Sequence, residues 1–174
     1  MAGDDTDESI CIDCGMCCDG TLFTWVPLPG EGDAAMLAGT PITVKDSEGK
    51  AFFSQPCAAF AGCCSIYASR PSNCRSFRCS LLRRHESGDV STDEARRIIR
   101  MTLDMRDRAL GPVRQLLAVD DMSFREIQTR LAEMTPEEGD ASPEHMVMVL
   151  DAVAVDKLLS QHFLPTPPRD ATTA

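Results

Sequence analysis

Four of the chain's nine cysteines fall in the stretch CIDCGMCC, residues 11 to 18, and the other five, Cys57, Cys63, Cys64, Cys74 and Cys79, follow before residue 80. Cys11, Cys14 and Cys17 recur at every third position, so a tight loop or one helical turn can aim three sulfurs at one centre. Adjacent side chains diverge, so Cys18 either completes that centre from another side or belongs to a second. Four anionic sulfurs repel one another, and a bound cation offsets that repulsion. Thiolate sets of this kind suit zinc, copper(I) and iron-sulfur clusters, with zinc–sulfur bonds of about 2.3 Å. Zinc sites usually draw one CxxC pair from each of two segments. Here Cys57, Cys64, Cys74 and Cys79 contain no such pair. A CxxCxxC loop with a remote fourth cysteine is closer to ferredoxin-type spacing, which tilts the expectation towards iron and sulfide.

Charge around the later cysteines fits an anionic centre. Between residues 70 and 84 stand Arg70, Arg75, Arg78, Arg83 and Arg84 with no carboxylate. Guanidinium groups offset the charge of a four-thiolate centre and hydrogen-bond its sulfurs. Arg75, next to Cys74, and Arg70 are the candidates for that role; Arg78, Arg83 and Arg84 read equally well as a solvated helix face. His85, six residues after Cys79, is a candidate replacement ligand, although an exposed helical histidine explains it better. Asp13 reads as a solvated loop carboxylate and Tyr67 as packing beneath the cysteines. A catalytic thiol at Cys63 or Cys64 lacks a histidine partner placed by sequence. Copper(I) trafficking draws on the nine methionines, but Met101, Met105 and Met146 lie in helical segments, where core packing accounts for them.

The remaining composition narrows the class. The chain of 174 residues carries a formal net charge of -10, which argues against non-specific nucleic-acid binding. Asp4, Asp5, Asp7 and Glu8 crowd a first segment without the basic and apolar regions of a secretory signal, so a cytoplasmic address is expected. No apolar run reaches the roughly 20 residues of a membrane span. In a reducing compartment clustered cysteines serve metals or catalysis more often than disulfides.

These cysteines need a scaffold, and the sequence predicts an α+β one that is mainly α. Residues 1–10 read as a disordered acidic tail, 11–85 as a cysteine-cluster metal-binding domain, 86–163 as a helical extension packed on it, and 164–174 as a disordered tail. TLFTWV reads as a strand, and PITVKDSEGKAFFS as a β-hairpin turning at Asp46 to Gly49, with a short helix near Gly32 to Leu37 between them. Ser91 with Glu94 caps a first long helix, with Ile98, Met101, Met105 and Ala109 inward and Gly111-Pro112 ending or kinking it. Ser123 with Glu126 opens a second. Ser142 and Pro143 open a third, which runs to about Phe163 with Val147, Leu150, Ala154 and Leu158 inward. The result is a three-helix layer on a loop-rich, cysteine-bearing platform.

CIDCGMCC, followed by PCAAFAGCCSIYASRPSNCRSFRC, resembles the CxxCxxCC family, also called the YkgJ family, of zinc- or iron-chelating proteins. The resemblance spans residues 11 to 79. It assigns Cys11, Cys14, Cys17 and Cys18 to the first motif. The second falls on Cys57, on Cys64 with Ile66 and Tyr67, and on Arg70, Pro71, Cys74 and Arg75, closing at Cys79. Cys63 departs from the family pattern. The resemblance implies metal binding by eight cysteines, through an iron-sulfur cluster or, alternatively, one or two Zn2+ ions. Relatives described as iron-sulfur oxidoreductases, and the similar region of flagellin lysine methylases, imply a redox or group-transfer role. The other reading is a structural zinc-binding adaptor without catalysis, whose helical part recruits a protein partner.

Overall fold

The structure is a computed structural model, and it describes residues 7–117, 122–133 and 143–164. Its elements run α1 (Asp7–Cys14), β1 (Trp25–Pro27), α2 (Asp33–Met36), β2 (Lys45–Ser47), β3 (Lys50–Ser54), α3 (Ser72–Ser76), α4 (Ser80–Glu86), α5 (Thr92–Leu117), α6 (Phe124–Glu133) and α7 (Pro143–His162). The architecture is mainly helical, with one small antiparallel sheet in the order β1-β3-β2. Alternation in β3 buries Phe53 opposite Val26 of β1, and Ser47 pairs Lys50 across a two-residue turn. Glu48 and Gly49 take positive φ of 55° and 75° in that turn. A two-residue hairpin needs this conformation to match strand twist.

Two apolar clusters organise the chain. The first joins Ile10, Met16 and Leu22 to Leu81 and Leu82 of α4 and to the buried sides of α5, α6 and α7. The second lies under the sheet, with Val26, Leu37, Ile42, Phe53, Cys57 and Ala59. Helices and N-terminal loop thus share one core, because Ile10 and Met16 supply apolar volume that the long helices bury.

Several expectations change here. The acidic tail gives way at Asp7, where α1 begins, and Ile10 is its buried anchor; residues 1–6 lie outside the described residues. At the other end Leu164 is tied down, its carbonyl accepting from Ser80 Oγ at 2.7 Å, and 165–174 lie outside. The strand expected over TLFTWV is confined to Trp25–Pro27. The third long helix starts at Pro143 as expected, while Ser142 lies outside the described residues.

Ser91 caps α5 through its hydroxyl, and Ser123 with Glu126 forms the full reciprocal capping box. Glu94 N donates to Ser91 Oγ at 3.3 Å, and Ser123 exchanges bonds with Glu126 at 2.8 and 3.2 Å. α5 does not stop at Gly111-Pro112 but runs to Leu117. Gly111, Pro112 and Arg108 are exposed, so the carbonyl that proline leaves unbonded reaches water, while Leu110 and Val113 hold the helix to the core.

The helix faces are rotated from the expected ones. In α5 the inward residues are Ala95, Ile98, Ile99, Thr102, Ala109, Leu110 and Val113, and Met101 is exposed. Thr102 enters the core because its hydroxyl donates to the Ile98 carbonyl at 2.8 Å. In α7 the inward residues are Met148, Ala152, Val155 and Leu159, leading to Phe163, whereas Val147, Leu150 and Ala154 face out. α7 is apolar nearly all round, so its periodicity marks no unique inner side. Met101 and Met146, expected in the core, are both exposed.

Candidate metal centre

The first motif is built on the end of α1. Cys11 and Cys14 lie three apart on that helix, and Gly15, at φ 63°, closes it with its N–H donating to the Cys11 carbonyl at 3.3 Å. A left-handed residue at a helix end suits glycine. The chain then turns: Cys18 N and Asp19 N both donate to the Gly15 carbonyl, at 2.7 and 3.0 Å. This reversal brings Cys17 back towards α1 and sends Cys18 the other way.

Two contacts join the motifs. Cys57 N donates to the Cys18 carbonyl at 2.7 Å. Phe60, bridged to Cys64, lays its ring against Gly15, where an added Cβ would lie 2.4 Å from Cζ. Cys74 arrives on α3, whose first turn is fixed by buried Asp33. The Asp33 carboxylate accepts from Ser72 N at 2.9 Å, Ser72 Oγ at 2.6 Å and Gly30 N at 3.0 Å. These bonds, Ser72 foremost, hold its carboxyl below the usual range. Cys79 is the N-cap of α4, its sulfur accepting from Leu82 N at 3.4 Å.

The sulfurs sort into two groups. Cys11, Cys14, Cys17 and Cys79 pack against the first core, whereas Cys18, Cys57 and Cys74 belong to the second. The electrostatics follow this grouping except where the two meet, since Cys18 also raises Cys17. Burial pushes the Cys14 thiol up, Met16 N–H partly opposes it, and Cys79 and Cys11 add to it. Burial also raises Cys17, with Cys14 and Cys79 contributing next. Cys18 is pushed up to about 12 by burial and then by Cys57, Cys64 and Cys74. Cys74 reaches about 11 by burial with Cys57 and Cys64, opposed by Arg70. Burial raises Cys57 and Cys79 as well; backbone N–H groups oppose it at both, and Arg83 at Cys79.

All nine cysteines are free thiols. The eight motif cysteines line one cavity of about 420 Å³, together with apolar side chains that include Met16, Phe53 and Leu82. Among the described residues, no three Cys, His, Asp or Glu side chains already close on a point as they would around one ion. The donor set itself fits a soft metal group: eight unbridged sulfurs, at least partly withdrawn from water, six of them with thiols that burial raises and a cation would bring down.

The other candidates fall into place around this cavity. Arg70 and Arg75 both line it. Arg70 stacks 3.4 Å above the Tyr67 ring, donates to the Tyr67 carbonyl at 2.8 Å, and lends its charge to Cys74. Arg75 is exposed, and its charge bears on Asp33. Arg78 pairs with Glu86 at 2.7 Å. His85 Nδ1 lies 3.0 Å from the Val90 carbonyl, half-buried, and His85 does not line the cavity. Asp13 pairs with Arg96 at 3.3 Å. Cys63 is exposed and does not line the cavity. Sequence reasoning passed over Asp33, whose only signal is a helix-start position 39 residues from Ser72, and left Arg83 undecided.

A small, mainly helical scaffold that brings eight unbridged thiols to one cavity defines a cysteine-cluster chelating protein. Residues 10–99 match the family model CxxCxxCC, described as "Putative zinc- or iron-chelating domain". That match covers just over half of the 174 residues, and the chain belongs to this family. It reaches beyond Cys79 to include α4 and the first turns of α5. Neither the comparison with curated proteins nor that with solved structures gives a significant match. No described helix is long and apolar enough to cross a membrane.

Proposed function

We infer that the protein carries two thiolate centres, Cys11, Cys14, Cys17 and Cys79 forming one and Cys18, Cys57, Cys64 and Cys74 the other, and that both take iron-sulfur clusters. The observation that carries this reading is the cavity of about 420 Å³ lined by both sulfur groups. That volume is more than two bare ions fill. Motif spacing supports the same conclusion. In two-cluster ferredoxins a CxxCxxC run holds one cluster and the next cysteine serves the other; here Cys18 follows Cys17 directly and turns towards the second group.

Bound clusters would supply one-electron transfer, and this chain's own groups would set its potential. Leu82 N–H donates to Cys79 and Arg70 lends charge beside Cys74; hydrogen bonds and positive charge near sulfur stabilise the more reduced, more negative state. A redox role follows for the pair, with the centres close enough to share a cavity.

One observation favours a second reading, structural zinc. Each group ties segments distant in sequence, as Cys79 does to α1, and closed four-cysteine sites leave no coordination position for chemistry. Anaerobic purification with iron, zinc and acid-labile sulfide analysis separates the two. Iron and sulfide in near-equal amounts with broad visible absorption support clusters; zinc without sulfide in a colourless protein overturns them.

A further inference from the structure

Gln55 carries a buried amide that the fold itself does not satisfy. The residue is 5% exposed and lines the cavity shared by the eight motif cysteines. Its backbone is held, the N–H donating to the Thr24 carbonyl at 2.9 Å. Its side chain is not, because Oε1 is buried and has no hydrogen-bond partner among the described residues. Buried polar atoms are nearly always paired, since an unpaired one forfeits its bonds to water. The missing partner must come from whatever occupies the cavity.

The surroundings specify that partner. Gln55 stands in the chain between Phe53 and Cys57, which belong to the second apolar cluster with Val26 and Ile42, and all four line the cavity. Walls of this kind offer a water few of the two to four polar partners it needs. The polarisable groups of that cluster are sulfurs, those of Cys18, Cys57 and Cys74. A metal-bound sulfur accepts hydrogen bonds and donates none, and a half-turn of the amide presents NH2 where the oxygen stood. We propose that the Gln55 side chain is the hydrogen-bond donor to the sulfurs of the second centre, and that it raises the reduction potential of that centre.

This inference rests on the cluster reading of the cavity and adds to it a residue outside the eight cysteines. A donor beside sulfur favours the reduced, more negative state. The first centre has its own backbone donor, Leu82 N–H on Cys79. Gln55 gives the second centre a side-chain donor, which a substitution can remove without touching the backbone.

Redox titration of the full-length, loaded protein tests it, followed by visible absorption and electron paramagnetic resonance. Methionine fills a similar volume without an N–H. In Gln55→Met one centre should show about a tenfold smaller reduced-to-oxidised ratio at a fixed potential, which is about 59 mV lower for one electron. Iron, sulfide and circular dichroism should match the wild type. Two unchanged potentials with clusters in place overturn the inference alone. A second measurement uses the wild type itself: glutamine labelled with 15N in the side chain should couple to the spin of the reduced protein, and Gln55→Glu should abolish that coupling. No coupling in the wild type, or coupling that survives Gln55→Glu, overturns the inference. Zinc without sulfide overturns the cluster reading, and this inference with it.

Discussion

Replacing Asp33 by Asn tests whether one buried carboxylate positions Cys74. Asp33 is 3% exposed and accepts three hydrogen bonds, from Ser72 N, Ser72 Oγ and Gly30 N. Asn keeps one oxygen for Ser72 N, and the Ser72 hydroxyl can reverse to accept from the new NH2. Gly30 N–H then faces a donor, and the charge that strengthened all three bonds is gone. Charge-assisted bonds contribute roughly 1.5–3 kcal/mol each, and an orphaned buried donor costs about 1–3, so a loss of about 2–3 kcal/mol is expected. Chemical denaturation of Asp33→Asn, Ser72→Ala and the double variant at neutral pH measures it. The cycle should give a coupling of about 1 kcal/mol or more; additivity within about 0.5 kcal/mol would refute the tether. Because the folded carboxyl titrates below its unfolded value, its stabilisation is full above the unfolded pKa near 3.8. It fades as pH falls through the lower folded value.

Gly15→Ala should cost about 2–4 kcal/mol, since a left-handed φ strains alanine and the new methyl displaces the Phe60 ring; a thermal shift within error would contradict the joining of the motifs through Phe60. Cys63→Ser should leave metal content unchanged, and in the loaded wild type Cys63 should be the thiol that maleimide labels fastest, because it is exposed and lies off the cavity. The metal-free protein should lose stability as pH rises from about 9 to 12. Cys18 and Cys74 titrate near 12 and 11 when folded, so between those limits the folded state holds the extra protons. Each thiol then contributes a slope of at most about 1.4 kcal/mol per pH unit. Flat stability over that range would contradict the buried thiols.

What the sequence made legible is local. The Glu48-Gly49 turn and the helix caps at Ser91 and Ser123 are contests between neighbours in the chain, and each resolved as its chemistry dictates. Helix faces are decided by tertiary packing instead. On α5 the expected Ile98, Met105 and Ala109 do meet the core, but Ile99 and Thr102 take the place expected of Met101, and only the neighbouring helices make that choice. α7 gives no local clue because both of its sides are apolar. At the site, the divergence of Cys17 and Cys18 was foreseeable from adjacency. The partners that each would find, Cys79 for one and Cys57 and Cys74 for the other, depend on the Gly15 reversal and the Asp33 tether. The latter is a contact between residues 39 apart, and no periodicity reports it.

The most direct test of the two-group account is metal content after replacing one cysteine from each group, Cys79→Ser and Cys74→Ser, alone and together. Serine at 79 can still cap α4, so loss of metal there is separable from loss of fold. Each single variant should retain about half the wild-type metal, and the pair almost none. Loss of all metal on either substitution alone, or none on both, would contradict two independent sulfur groups.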